Sequence, residues 1–249
     1  MLKALTGLAL GVALLGSVPA FGEPVSVRFT EGITHAFPVL RSASGEKIAQ
    51  GELVQIPRGD RVENRLTFKF RDGSFYDERV VFSQNDVFTL LSYSLVQRGP
   101  AFPEMLDATV DRETGRYVVR HKSDDDAPEE VLKGKLEMPT DIYNGLLGTL
   151  MKNLPAGMAT TVQIIAFTPK PRFVKMLLAP SAEDTILMGE VAVPATRFMV
   201  RPQLGLFASL LVADLPDIKA WILGGEAPAF LKFEGPLYFM GPIWKIEWN

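Results

Sequence analysis

The sequence predicts a mainly β (α+β) protein, built as a strongly curved antiparallel sheet or a partly closed β-barrel with one or two packing helices. Three observations lead there. Segments that alternate apolar and polar residues recur along most of the chain, as half-buried strands do. Breaks rich in Gly and Pro, such as GGEAP and EGP, separate them. The alternation of strands with helices that a doubly wound nucleotide-binding sheet requires is missing.

The first element is an address. In MLKALTGLALGVALLGSVPAFG a single charge, Lys3, precedes an apolar run, and small residues follow. This order predicts a secretory signal peptide over residues 1–22, cleaved after Ala20 or after Gly22. The apolar run is shorter than the roughly 20 residues a membrane-spanning helix needs, and no later stretch is apolar enough to span. Residues 23–249 are therefore expected to form a single β-rich domain, exported to the periplasm or secreted. The chain has no cysteine and two histidines, His35 and His121. Cysteine nucleophiles, cysteine-held metals and histidine-rich metal sites are thereby excluded. Without the leader the chain keeps 25 basic against 29 acidic residues, a mild acidity that argues against a nucleic-acid partner. A chain of this length buries a sizeable core without disulfide staples.

Reading onward, VSVRF alternates Val25, Val27 and Phe29 with Ser26 and Arg28, and is expected to be a strand. ELVQI runs into the turn signal PRGD. RLTFKFR sets Leu66, Phe68 and Phe70 on one face against Arg65, Thr67, Lys69 and Arg71 on the other. In VFTLLSYSLV the inward set is expected to be Leu91, Tyr93 and Leu95. LDATVDRETGRYVVRH reads as a hairpin turning at Arg112–Gly115, and TTVQIIAF–TPKP–RFVKMLL as another. TRFMVR, IKAWIL and IWKIEW complete ten to thirteen strands. One helix is expected over DIYNGLLGTLMKNL, residues 141–154, with Thr140 as N-cap and Pro155 as stop. GLFASLLVADLP, ahead of Pro216, is a second, short helix candidate.

The stretch DGSFYDERVVFSQ, Asp72 to Gln84, carries the densest chemistry. A three-residue DGS loop, with Gly73 free to adopt positive φ, would pair Phe70 with Tyr76, Lys69 with Asp77 and Leu66 with Val80. Lys69 and Asp77 then form an ion pair on the wet face, and Glu78 falls on the apolar face opposite Phe68. Slipping the register by one residue sends Asp77 inward instead. One carboxylate faces the apolar side either way, where it needs a partner or takes up a proton.

Other motifs are weaker. The mature chain lacks G-x-S-x-G, H-E-x-x-H, Walker-type and G-x-G-x-x-G patterns. HKSDDDAPEE crowds Asp124, Asp125, Asp126, Glu129 and Glu130 into one loop but lacks the ligand spacing of a calcium loop. Lys170, Arg172 and Lys175 give one hairpin a positive tip. Trp221, Phe230, Phe233, Tyr238, Phe239, Trp244 and Trp248 make the C-terminal part aromatic, suited to a pocket wall or to plain core.

Three runs carry a likeness to known sequences: GEKIAQGELVQIPRGDRVENRLTFKFRDGSFYDERVVFSQ, LVQRGPAF, and WILGGEAPAFLKFEGPLYFMGPIWKIE. They resemble a family of uncharacterised exported bacterial proteins over most of the mature chain, a resemblance that implies export and carries no catalytic residue over. In layout the chain is also similar to periplasmic lipoprotein carriers, which implies a strongly curved antiparallel sheet. The function expected is non-catalytic binding of an apolar or lipid-like molecule on the concave face, without cofactor or metal, and not an enzyme. Leu66, Phe68, Phe70, Tyr76 and Val80 are the expected lining, Glu78 the polar contact, and Trp221 and Trp244 further candidates. A cell-envelope module that docks onto another protein is the alternative, and a hydrolase comes after that.

Overall fold

The computed structural model describes residues 24–123, 126–203 and 217–248. Its strands are β1 (Thr34–Ala36), β2 (Pro38–Arg41), β3 (Lys47–Arg58), β4 (Arg61–Phe70), β5 (Phe75–Asn85), β6 (Val87–Arg98), β7 (Met105–Asp111), β8 (Arg116–Lys122), β9 (Glu130–Lys135), β10 (Thr160–Thr168), β11 (Lys170–Met188), β12 (Val191–Gln203), β13 (Ile218–Leu223), β14 (Ala229–Gly235) and β15 (Trp244–Trp248). One helix, α1 (Leu147–Asn153), lies between β9 and β10.

All strands join one antiparallel sheet in the order β10-β11-β12-β13-β14-β15-β2-β3-β4-β5-β6-β7-β8-β9, with β1 added to β3. Two meanders therefore share the sheet, and β15 joins them by pairing with β2 from Lys245↔Arg41 to Trp248↔Pro38. The sheet is not closed, as β9 and β10 end it. An open sheet this wide must curl to bury one face. Bulges at Leu40/Arg41, Val81/Phe82, Pro180/Ala182 and Trp221/Ile222 bend it. The concave face holds one continuous core that draws on both meanders, including Phe68, Phe82, Val162, Met176, Ile222 and Trp244.

A strap crosses the concavity between β9 and α1. Its backbone pairs with the edge strand β10, with Tyr143 N–H donating to Gln163 O and Gln163 N–H to Asp141 O. Ile142, Tyr143, Leu146 and Leu150 are wholly buried. Arg112 anchors the start of the strap by donating to Met138 O and Pro139 O.

Several sequence expectations are corrected here. The expected strand VSVRF reduces to a single bridge, Ser26↔Val87. The expected helix 141–154 shrinks to 147–153, and its N-cap is Leu146 rather than Thr140. The cause is Gly145, held at φ 68, a left-handed conformation that no helix continues through. The chain ahead of it is tied to β10 instead. In β6 the bulge turns Leu90 into the core in place of Leu91. The leader 1–22, the helix candidate GLFASLLVADLP, and Asp124 and Asp125 of the acidic loop lie outside the described residues.

Candidate functional site

The β4–β5 hairpin sets the register of the concave face. Phe70 N–H donates to Ser74 O, so the loop is Arg71–Gly73, one residue earlier than expected. Gly73, at φ 87, takes the last loop position, as a three-residue loop with a left-handed closing residue demands. Phe68 thus faces Tyr76, Thr67 faces Asp77 and Leu66 faces Glu78. The displacement is two residues along the pairing, an even number, so the inward set is kept. Glu78 points inward and Asp77 outward.

The expected Lys69–Asp77 pair is replaced by another. Asp77 takes Arg65 Nε and Nη2 at 2.9 Å each, with Arg79 Nη2 at 3.0 Å. Burial pushes the Asp77 carboxyl up, but hydrogen bonds from Arg65 and Arg79, and their charges, outweigh it and hold the carboxyl below its ordinary value.

Neighbouring strands lay out the inner face in rows. One row runs Leu53–Leu66–Glu78–Leu95–Ala108, and the next Gln55–Asn64–Val80–Tyr93–Val110. Glu78 thus stands alone in an apolar row. Tyr93, diagonal to it, donates its hydroxyl to Glu78 Oε1 at 2.8 Å. Burial raises the Glu78 carboxyl above its ordinary value, partly offset by hydrogen bonds from Tyr93 and Tyr76. Both tyrosine hydroxyls are pushed well above theirs, by burial first and then by the Glu78 charge. Gly145 of the strap lies directly over this spot, where an added Cβ would strike Val80 Cγ2.

Between this face, α1 and the segments around residues 28–36 and 226–240 lies a cavity of about 1110 Å³. Leu53, Leu66, Leu95, Leu106, Ile164 and Val174 supply sheet wall, Leu147 and Met151 come from α1, and Phe230 and Phe233 from β14. The lining also carries polar side chains, Arg28, Gln97, Asn144 and Glu226 among them, and two groups of them are bonded to one another. One is Glu78 with Tyr76 and Tyr93. The other is the ion pair of Lys152 Nζ with Glu31 at 2.5 Å. Gln55 Nε2 donates to the other Glu31 oxygen at 3.0 Å, and Asn64 Nδ2 to Gln55 Oε1.

Of the eight expected site residues, Leu66, Tyr76 and Glu78 line this cavity. Phe68 and Val80 are on the correct face but are core. Phe68 is covered by β3, where Gly51 leaves room for its ring. Phe70 and Trp244 pack with Phe102 in a buried aromatic cluster and border only a smaller recess of about 250 Å³. Trp221 belongs to a separate small core with Ala195 and Leu231, its indole N–H donating to Asp184 Oδ2 at 2.7 Å. Sequence reasoning did not name Glu31, Gln55, Asn64, Tyr93 or Lys152 as site residues, and they come from five separate segments. Tyr93 alone was signalled, as an inward residue of β6.

The histidines lie off the cavity. His35 Nε2 sits 2.9 Å from Glu52 on the surface, and His121 lies between Glu104 and Glu130. Among the described residues no three His, Asp or Glu side chains gather as a metal site. No helix there is long and apolar enough to cross a membrane. Lys170, Arg172 and Lys175 are exposed on the β10–β11 hairpin. Compared with known proteins, the chain matches no family model, no curated protein and no solved structure.

Proposed function

We propose that the protein is a non-catalytic binder, exported to the periplasm or beyond, that holds an apolar or lipid-like molecule in the concavity of its sheet. The observation that carries this reading is the cavity itself. At about 1110 Å³ it lies just above the roughly 300–1,000 Å³ range of small-molecule pockets. Its walls are mainly aliphatic and aromatic, with few convergent polar groups, as ligand sites are. Glu78 and Tyr93 would orient a polar end of the guest, and Leu66, Leu95, Phe230 and Phe233 would cover its apolar body. Export rests on the leader, and the likeness to an exported bacterial family on the resemblance of the quoted runs.

A second reading, an envelope module that docks onto another protein, draws on the β11–β12 hairpin, whose tip exposes Leu187, Met188 and Val191. Native mass spectrometry of protein purified without detergent, followed by solvent extraction, tests the first reading. A reproducible lipid adduct is expected. A bare mass that stays bare after incubation with envelope lipids overturns the binding reading and favours the docking module.

A further inference from the structure

We propose that the mouth of the cavity is a docking surface for a lipid bilayer with zwitterionic headgroups, where an apolar guest passes between membrane and protein. The transfer step rests on the binding reading above, whereas the docking step does not. Three side chains mark the mouth. Ile33, Phe239 and Met240 all line the cavity, yet they are 82%, 55% and 57% exposed. Single exposed apolar residues are ordinary on a protein surface. Here two segments about 200 residues apart in the chain contribute to one rim, and the same side chains face both the interior and the outside.

The backbone supports a role for the rim. Met240 sits at φ 60, left-handed for a residue with a side chain, in a tight turn where Gly241 N–H donates to Tyr238 O at 3.0 Å. Strain of this kind persists where the surroundings enforce it, and it clusters at functional positions. In this turn Phe239 and Met240 are exposed. On the facing segment exposure alternates, so Ile33, His35 and Phe37 share one outward side. Phe37 rests against the His35 ring at 4.7 Å between centroids, which lengthens the apolar edge.

Continuity with the cavity selects the occupant. A guest that fits an apolar interior is sparingly soluble, so its source and destination are apolar phases, and a rim continuous with the wall spares it a passage through water. Charge selects the headgroup. The exposed charges on the lining, Arg28 and Glu226, are opposite in sign, and the cationic side chains Lys170, Arg172 and Lys175 lie off it, so insertion of apolar side chains must drive the contact.

Flotation with phosphatidylcholine vesicles tests docking on the exported full chain, with no guest required. The native protein is expected to co-float. The variant Ile33→Glu, Phe239→Ser, Met240→Gly is expected to partition about tenfold less or lower. Glycine at 240 suits the left-handed backbone, so the variant is built to fold, and circular dichroism checks that it does. Leu187→Glu, a change to an exposed residue outside the cavity lining, is expected to float like the native protein. Native protein that stays with the soluble fraction overturns the proposal, as does a rim variant that floats equally well. A rim variant that instead breaks up a native oligomer overturns it in favour of self-association. Uptake of an NBD-labelled phospholipid by native protein in vesicle-free solution is read separately. Its failure strikes the binding reading and leaves the docking result standing.

Discussion

Arg65 grips Asp77 with one edge of its guanidinium, Nε on Oδ1 and Nη2 on Oδ2, each at 2.9 Å. Asp77 is only 5% exposed on the outer face of β5, while both arginines reach out into water. Charge-assisted forks of this kind are the stronger hydrogen bonds of a sheet surface. Asp77→Asn removes the charge and is expected to cost about 1–3 kcal/mol at pH 7, read by urea denaturation. The Asp77 carboxyl is held below its ordinary value. Its contribution is therefore present above the unfolded value near 3.9 and is lost as pH falls through the lower folded value. Native and variant stabilities should converge in acid, and a gap that stays constant down to pH 2 would contradict the assignment.

Glu78 has the opposite sign. Its carboxyl is raised in the fold by burial, so the folded state binds the proton more tightly than the unfolded chain does. Stability from this group is full below the ordinary glutamate value near 4.3 and declines as pH rises through the raised folded value. Glu78→Gln keeps an acceptor for the Tyr93 hydroxyl and removes the titration. The variant is expected to match the native protein near pH 3.5 and to melt higher at pH 8. A lower melting temperature at pH 8 would mean that the charge is satisfied by contacts beyond the two tyrosines.

Phe102 is the hub of the aromatic cluster, with ring centroids 5.5 Å from Phe70, 5.7 Å from Tyr238 and 6.1 Å from Trp244. It enters from the β6–β7 connection, so its contacts are long-range and its removal leaves a cavity in the core. Phe102→Ala is expected to cost about 3–5 kcal/mol. Differential scanning calorimetry checks this, and a loss under 1 kcal/mol would mark the cluster as loosely packed.

Leu66→Trp is the complementary change, because Leu66 is only partly buried against the core and borders the cavity. Growth into a void costs less than the 1–3 kcal/mol of overpacking, so stability should stay within about 1 kcal/mol of native. Uptake of an NBD-labelled phospholipid should drop several-fold. Unchanged uptake with unchanged stability would place the guest elsewhere.

The inward faces of β4 and β5 were legible because their alternation is strict and the hairpin error was even. A two-residue displacement moves partners without changing faces, so Leu66, Tyr76 and Glu78 kept their places. Alternation carries no information on depth, however. It treats Phe68 and Leu66 alike, although β3 covers one and the cavity borders the other. Phe70 and Trp244 lie away from the large cavity for the same reason, since an aromatic residue on the inner face fills a core as readily as it lines a pocket. Glu31 and Lys152 are about 120 residues apart in the chain, and their meeting depends on the strap and α1 crossing the concavity. The strap itself was hidden because its apolar spacing imitates a helix, and only Gly145 betrays the break.

Gly145 gives the sharpest test of that crossing. It sits at φ 68, and a Cβ there would run into Val80 Cγ2 and come within 3.4 Å of Glu78 Cδ. Gly157 offers the comparison, at φ 75 with open space around it. Gly157→Ala should therefore report the left-handed penalty alone, about 1–2 kcal/mol. Gly145→Ala adds overpacking of about 1–3 kcal/mol against a buried valine. The excess should shrink in the double variant with Val80→Ala, because the two sites share the clash and are then non-additive. Full additivity in that cycle, measured by chemical denaturation, would mean that the strap lifts away from β5 at little cost. Glu78 would then lie under a movable cover rather than a fixed one.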